Sequence, residues 1–343
     1  MNIKVLGRPE AAPGAHADAR VPLVMVRRPA ALAPLTDRLG ALGLGQDSAD
    51  GPLLAALAGT APCADTWVSP GDQQHGSSGL LRWSHNSDWL YGSLQIDAAP
   101  GELAAQVQQA YTDLFAGLRE TGFIHPVRLW NYVPRINADE GGLERYRHFN
   151  AGRQQAFLAA GQAAFEGSPA ACALGTHGGP LCVRVLASRH PVRPIENPRQ
   201  VSAYHYPTNY GPRSPSFSRA ALVDAGNGQL MLLISGTASI VGHASVHVGD
   251  LAAQVRETLT NLQAVIDEAQ RHASARFALR DLSFTVYVRH REHADAVRAQ
   301  LVAELGADAP AVGGMVLLHA DICRHDLLVE IEAHAQAAGV VTA

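Results

Sequence analysis

The sequence predicts an α+β protein in which one unit occurs twice, each copy a mixed sheet with helices packed on one face. A repeated amphipathic helix, matching strands on either side of each copy, and a late stretch that alternates with period two all point that way. "ELAAQVQQAYTDLFAGL" (Glu102 to Leu118) returns as "DLAAQVRETLTNLQAVI" (Asp250 to Ile266). Leu103, Val107, Tyr111, Leu114 and Leu118 of the first correspond to Leu251, Val255, Leu259, Leu262 and Ile266 of the second. That spacing makes one buried stripe on each helix. An acid in the first turn of each, Glu102 or Asp250, suits the positive end of the helix dipole.

The flanking elements repeat in the same order. "DWLYGSLQID" precedes the first helix and "QLMLLISGTASI" the second, both strand-like in their β-branched and aromatic content. After the helices come the extended "PVRLWNYVPRI" and "DLSFTVYVRHR", then the helical "LERYRHFNAGRQQAFLAAG" and "EHADAVRAQLVAELG". Between the copies lies "SRHPVRPIENPRQ", whose three prolines suit neither a helix nor a central strand. The boundary is therefore expected near Pro198, giving units of residues 1–197 and 198–343, packed sheet to sheet with clefts where they meet.

The last element is "LLVEIEA". A period of two puts Leu328, Glu330 and Glu332 on one side of a strand, with Val329, Ile331 and Ala333 on the other. Two acids on one strand face are either a solvated surface or a functional feature.

Composition sets limits. With 343 residues and 47% hydrophobic content the chain can build large cores. The formal net charge is −4 and no run of like charges occurs, so neither a nucleic-acid nor a membrane partner is expected. Lys4 is the only lysine, so the cations are arginines, whose forked guanidinium fits carboxylates. Cys63, Cys172, Cys182 and Cys323 show no C-x-x-C spacing, and no apolar leader or bilayer-length span is present. A reduced cytoplasmic protein is expected, as a monomer or small homo-oligomer. Sixteen histidines include no paired metal-binding spacing, so no metal and no cofactor are expected. "GTHGGP" (Gly175 to Pro180) lacks the Lys and Ser/Thr of a phosphate loop and reads as a turn, while "YGPRSPSFSRA" lacks a nucleophile elbow.

The C-terminal copy, with its "ISGT" and "VEIEA" blocks, resembles the Rid (YjgF-type) enamine/imine deaminases, a small α+β fold that places ligands in clefts between subunits of a trimer. Where that family carries a carboxylate-binding arginine, "APAVGGMV" has Val312, which argues against deamination. A wider resemblance covers the whole chain. "HPVRLWNYVPRIN", "YRHFNAGR", "YHYPTNYGPRSPSFSRA" and "DICRHDLLVEIEA" look like the chorismatase family, enzymes built from Rid-like units that remove pyruvate from chorismate.

That resemblance implies a site. Chorismate carries two carboxylates, an enol ether and a ring hydroxyl, so it needs two cationic clamps and an acid that can protonate carbon. Arg153 and Arg213 match the arginines placed near the substrate carboxylates, with Tyr146 and Tyr210 as phenolic donors beside them. Glu330 aligns with the catalytic glutamate, and burial would have to raise its pKa for it to act near neutral pH, whereas Glu332 reads as structural. Gly236 and Cys323 resemble the members that make 3-hydroxybenzoate: the glycine would leave room for the ring, and the thiol would assist rearrangement through an epoxide-like intermediate in place of attack by water. For Cys323 the alternative is a small buried hydrophobe. Release of 4-hydroxybenzoate as well is compatible with these residues. A non-catalytic binder of a small dicarboxylate, and a Rid-like deaminase, remain as other readings.

Overall fold

A computed structural model of the chain describes residues 20–30, 32, 35–45 and 54–342. Two seven-stranded sheets dominate it, and their strand orders correspond position by position. The first runs Asp321–Ile322, Ala170–Thr176, His125–Pro134, Leu181–Ser188, Trp89–Ile96, Leu81–His85, Gln74–Ser78. The second runs Ala55–Ala56, Val316–His319, Ser283–Val288, Val329–Ala338, Gln229–Ala238, Ala220–Asp224, Arg193–Ile195. Each contains one parallel pair, Ala170–Thr176 with His125–Pro134 and Val316–His319 with Ser283–Val288, and is otherwise antiparallel. The sequence repeat is thus a repeat of topology.

The helices match the repeated pattern. α1 (Leu103–Thr121) and α2 (Arg145–Ala159) cover the outer face of the first sheet, and α3 (Leu251–Gln270) and α4 (Ala294–Leu305) that of the second. The apolar stripes of α1 and α3 are buried where the spacing placed them, except that Leu251 is only partly covered. The acids sit one position earlier than the first turn. Asp250 is the N-cap of α3 and accepts from the Ala253 amide at 3.0 Å, whereas the Glu102 side chain makes no capping bond.

Two features tie the halves together. Each sheet takes its outermost strand from the other half: Asp321–Ile322 completes the first and Ala55–Ala56 the second. The proline-rich link contributes as well. Arg193–Ile195 is already the far edge of the second sheet, with Pro194 opposite Ala221, because an edge strand tolerates a residue that cannot donate.

The inner faces of the sheets pack together, and a three-stranded sheet of Val24–Pro29, Cys63–Val68 and Arg38–Leu44 closes the third side of this shared core. Arg27 fastens it to the second sheet by binding the Thr285 hydroxyl at 2.7 Å while paired with Asp65. The Tyr91 hydroxyl fastens it to the first by donating to Ala41 O at 3.0 Å. In the middle the hydroxyls of Tyr132 and Tyr287, one from each repeat, meet at 3.3 Å. No helix among the described residues is long and apolar enough to cross a membrane.

Candidate active site

At the junction of the repeats lies a cavity of about 320 Å³, with a smaller chamber of about 30 Å³ behind it. Both are lined by Tyr146, Gly236, Cys323 and Glu330. The acid comes from the last strand, Val329–Ala338, where Glu330 stands between Ala238 and Tyr287 on the neighbouring strands. Neither acid of that strand is solvated: Glu330 is 3% and Glu332 6% exposed. They differ in their partners. Glu332 takes a hydrogen bond from Arg128 Nη2 at 2.7 Å in the core between the sheets. Among the described residues no side chain hydrogen-bonds to the Glu330 carboxyl, and burial, reinforced by the nearby Glu332 charge, pushes its pKa up to about 8. Arg128, Arg289 and Arg219 pull the other way and lose to desolvation. Glu330 is therefore a protonated carboxyl facing the cavity at neutral pH.

Gly236 makes that position possible. A bulge between Ile234 and Thr237 sets two residues, Ser235 and Gly236, against one on the last strand. The Ser235 hydroxyl pins the bulge, accepting from the Ala171 amide at 2.9 Å and donating to Ser218 O at 2.6 Å. A Cβ at 236 would collide with the Glu330 carboxyl and stand 3.3 Å from the Cys172 Cβ. The space expected for a substrate ring is, in this structure, the space that holds the acid.

Cys323 follows the short strand Asp321–Ile322, and burial, with Glu330 beside it, pushes its thiol up to about 12. It is a neutral thiol in the wall and not a thiolate nucleophile. On α2, Tyr146 and Arg153 are two turns apart on one face, with Phe149 and Asn150 between them. Burial holds the Tyr146 phenol well above its usual pKa, so it is a proton donor. The Arg153 guanidinium, 2% exposed, lies 4.9 Å from the Phe157 ring centre and 5.3 Å from that of Tyr111. Among the described residues its Nε and Nη2 have no hydrogen-bond partner, although they are buried beside the inner chamber. A buried guanidinium with open donors is suited to a carboxylate.

Tyr210 lines the outer cavity, its ring under Arg324 with the guanidinium 4.2 Å from the ring centre and its hydroxyl 3.3 Å from His243 Nδ1. Arg213 is different: it is exposed and lies outside the lining of both chambers. Two other arginines, Arg219 and Arg324, line the outer chamber. Arg219 donates from Nη2 to the Tyr206 hydroxyl and to Val201 O, both at 2.9 Å, and its Nε has no partner among the described residues. Arg324 donates from Nη1 to His243 O at 2.8 Å, and its Nη2 likewise has none among them. Both stand in blocks singled out in the sequence, Arg219 six residues after Arg213 and Arg324 next to Cys323, but neither spacing reveals which side chain turns inward. Val312, on the short helix Pro310–Gly313, is buried in the core beneath α3 and α4 and offers no cation.

Arg153→Ala is expected to raise the KM for a dicarboxylate substrate at least tenfold, and Arg213→Ala to leave it within about twofold, since an exposed arginine outside the cavity has little to lose. Initial rates on the two variants check this. A large effect at 213 would mean that the loop closes over the site when ligand is bound.

Comparison with known proteins agrees over most of the chain. The family model described as chorismatase FkbO/Hyg5-like, N-terminal, matches residues 65–187. A 3-hydroxybenzoate synthase of Streptomyces hygroscopicus is 38% identical, covering 79% of this chain and 81% of its own. A chorismatase of Streptomyces rapamycinicus is 40% identical over 78% of this chain and 81% of its own. A chorismatase crystal structure superimposes with a TM-score of 0.80 at 33% identity, over 92% of this chain and 98% of that one.

Proposed function

Since the chain belongs to the chorismatase family, we propose that it cleaves chorismate to 3-hydroxybenzoate and pyruvate, with Glu330 as the acid that protonates the enolpyruvyl methylene carbon. One observation carries the reading: a carboxyl kept protonated at neutral pH, without a side-chain hydrogen-bond partner among the described residues, in the wall of a cavity edged by arginines. Protonating carbon needs such a proton in reach and undiverted. Arg153 in the inner chamber and Arg219 or Arg324 in the outer one are set to hold the two carboxylates apart, which fixes the enol ether between them.

Once the methylene is protonated, the ether oxygen becomes a good leaving group and its bond to the ring breaks, releasing pyruvate. The ring hydroxyl oxygen closes on the vacated carbon to give the epoxide. The epoxide then opens by breaking the bond between its oxygen and the carbon that first bore the hydroxyl, and the carbon that keeps the oxygen loses its proton to restore aromaticity; of the two protons released, from the hydroxyl and from the ring, one returns to Glu330 and the other ends on the phenol oxygen. The neutral Cys323 thiol supports the rearranging course, because it lines the wall beside Glu330 with a weak hydrogen-bonding group, poorly suited to hold an attacking water. All four cysteines are free, which fits a reducing cytoplasm, and the chemistry as written calls for no cofactor.

Following pyruvate with a lactate dehydrogenase couple, and the aromatic product by chromatography, tests the reading. Equimolar pyruvate and 3-hydroxybenzoate are expected. A dihydroxycyclohexadiene carboxylate or 4-hydroxybenzoate as the main product would overturn the assignment of product, and tight binding without pyruvate would leave a dicarboxylate binder. Turnover is also expected to depend on pH in one direction on the alkaline side. Glu330 must be protonated, so kcat/KM, which reports the free enzyme, should be level below about pH 7 and fall as the pH rises through about 8. A kcat/KM that rises over that range would exclude a carboxylic acid as donor.

A further inference from the structure

The catalytic cleft has a counterpart in the other repeat. Tyr132 and Tyr287 touch across the middle of the molecule and hold matching places in their sheets. Opposite Tyr287 on the returning strand stands Glu330, and opposite Tyr132 stands Cys182. Two residues on, Glu332 corresponds to Arg184. The counterpart of the acid is therefore a thiol, and that of the second acid a cation.

The sister position itself is packed, with Cys182 2% exposed in the core between the sheets. Beside it, on the part of the first sheet that extends past the three-stranded sheet, lies a cavity of about 670 Å³ lined by Ser77, Arg82, Ser93, Gln95 and Arg184 together with backbone of the Gly79 turn. Arg82, Ser93 and Arg184 are cross-strand neighbours in one row. Arg184 is 2% exposed and anchored, donating from Nη1 to Leu94 O at 3.2 Å, whereas Arg82 is exposed to solvent. Among the lining residues there is no carboxylate; Asp113 on α1 is occupied at the rim, accepting from the Leu80 amide at 2.8 Å, and at the adjoining edge the charges of Asp65 and Arg38 oppose each other at the Tyr91 hydroxyl. A recess with two arginines in its lining, neutral donors between them and no acid favours an anion.

We propose that this sister pocket is a second, non-catalytic site for a small organic carboxylate, held by Arg82 with Ser77 and Ser93 while Arg184 gives the floor its positive field. The site has no group that could donate a proton to carbon, so its ligand is bound and not turned over. It stands apart from the catalytic reading, since none of its residues lines the catalytic cavity.

The probe is 4-fluorobenzoate, observed by fluorine NMR as it is titrated into the full chain at low salt. Wild type is expected to show two bound environments. Arg82→Ala, a change at an exposed position, should weaken one of them at least tenfold and leave kcat and KM for the cleavage reaction unchanged, while Arg153→Ala removes only the other. The Arg82-dependent environment should also weaken with added salt. A single environment in wild type, or two that both survive Arg82→Ala, would overturn the proposal.

Discussion

Glu330→Gln is expected to lower pyruvate release by at least about 10²-fold while chorismate binding stays near that of the parent, because the arginines are untouched and only the proton is gone. The same change is expected to stabilise the protein. The folded state holds the Glu330 proton up to about pH 8, whereas the unfolded chain releases it near the ordinary glutamate value of 4.5. Between those limits the unfolded state binds fewer protons, so stability falls as the pH rises, and the penalty is complete above pH 8. Glutamine carries no such penalty. Its stability should therefore match the parent near pH 4 and exceed it by a gap that widens up to pH 9, reaching a few kcal/mol and showing as a rising difference in melting temperature. Thermal melts at several pH values, run beside calorimetry with chorismate, separate this from a general loss of structure. Retained turnover, or a gap that does not grow with pH, would remove Glu330 from the role of acid.

Glu332→Gln should do the reverse. It leaves Arg128, 2% exposed, without its carboxylate in the core between the sheets, a loss of about 3–5 kcal/mol. It also removes the charge that helps keep Glu330 protonated, so the alkaline fall in kcat/KM should move to lower pH even in the fraction that stays folded. Arg128→Met has the opposite effect on that limb, since it removes a cation that favours ionised Glu330, and destabilises for the same reason. The double change Arg128→Met with Glu332→Leu is expected to recover most of the stability, because a well-packed apolar pair avoids the desolvation of two charges. Melting temperatures of the three variants, with pH profiles for each, decide the matter. If Glu332→Gln melts like the parent, the ion pair is not what holds the sheets at that point.

What could be read from the chain alone is what local periodicity encodes. The stripes of α1 and α3, the strands around them and the two-residue alternation of Glu330 and Glu332 each depend on neighbours a few positions apart, so the repeat and its order of elements were legible. Periodicity did not group Tyr146, Tyr210, Arg153, Gly236, Cys323 and Glu330, which only the family resemblance implied; the fold places them around one pair of chambers. Only the tertiary structure decided the rest. Arg213 and Arg219 share one short block of sequence, and it is the path of the Pro212–Pro215 turn that leaves the first outside and brings the second in. Whether the acids of the last strand are solvated or buried depends on Arg128, 204 positions away, and on the sheet that brings it there. The exchange of edge strands, the three-stranded sheet that closes the core and the collision that makes residue 236 a glycine are likewise contacts between distant segments. A period in the sequence says which face a side chain takes, and only long-range packing says what that face meets.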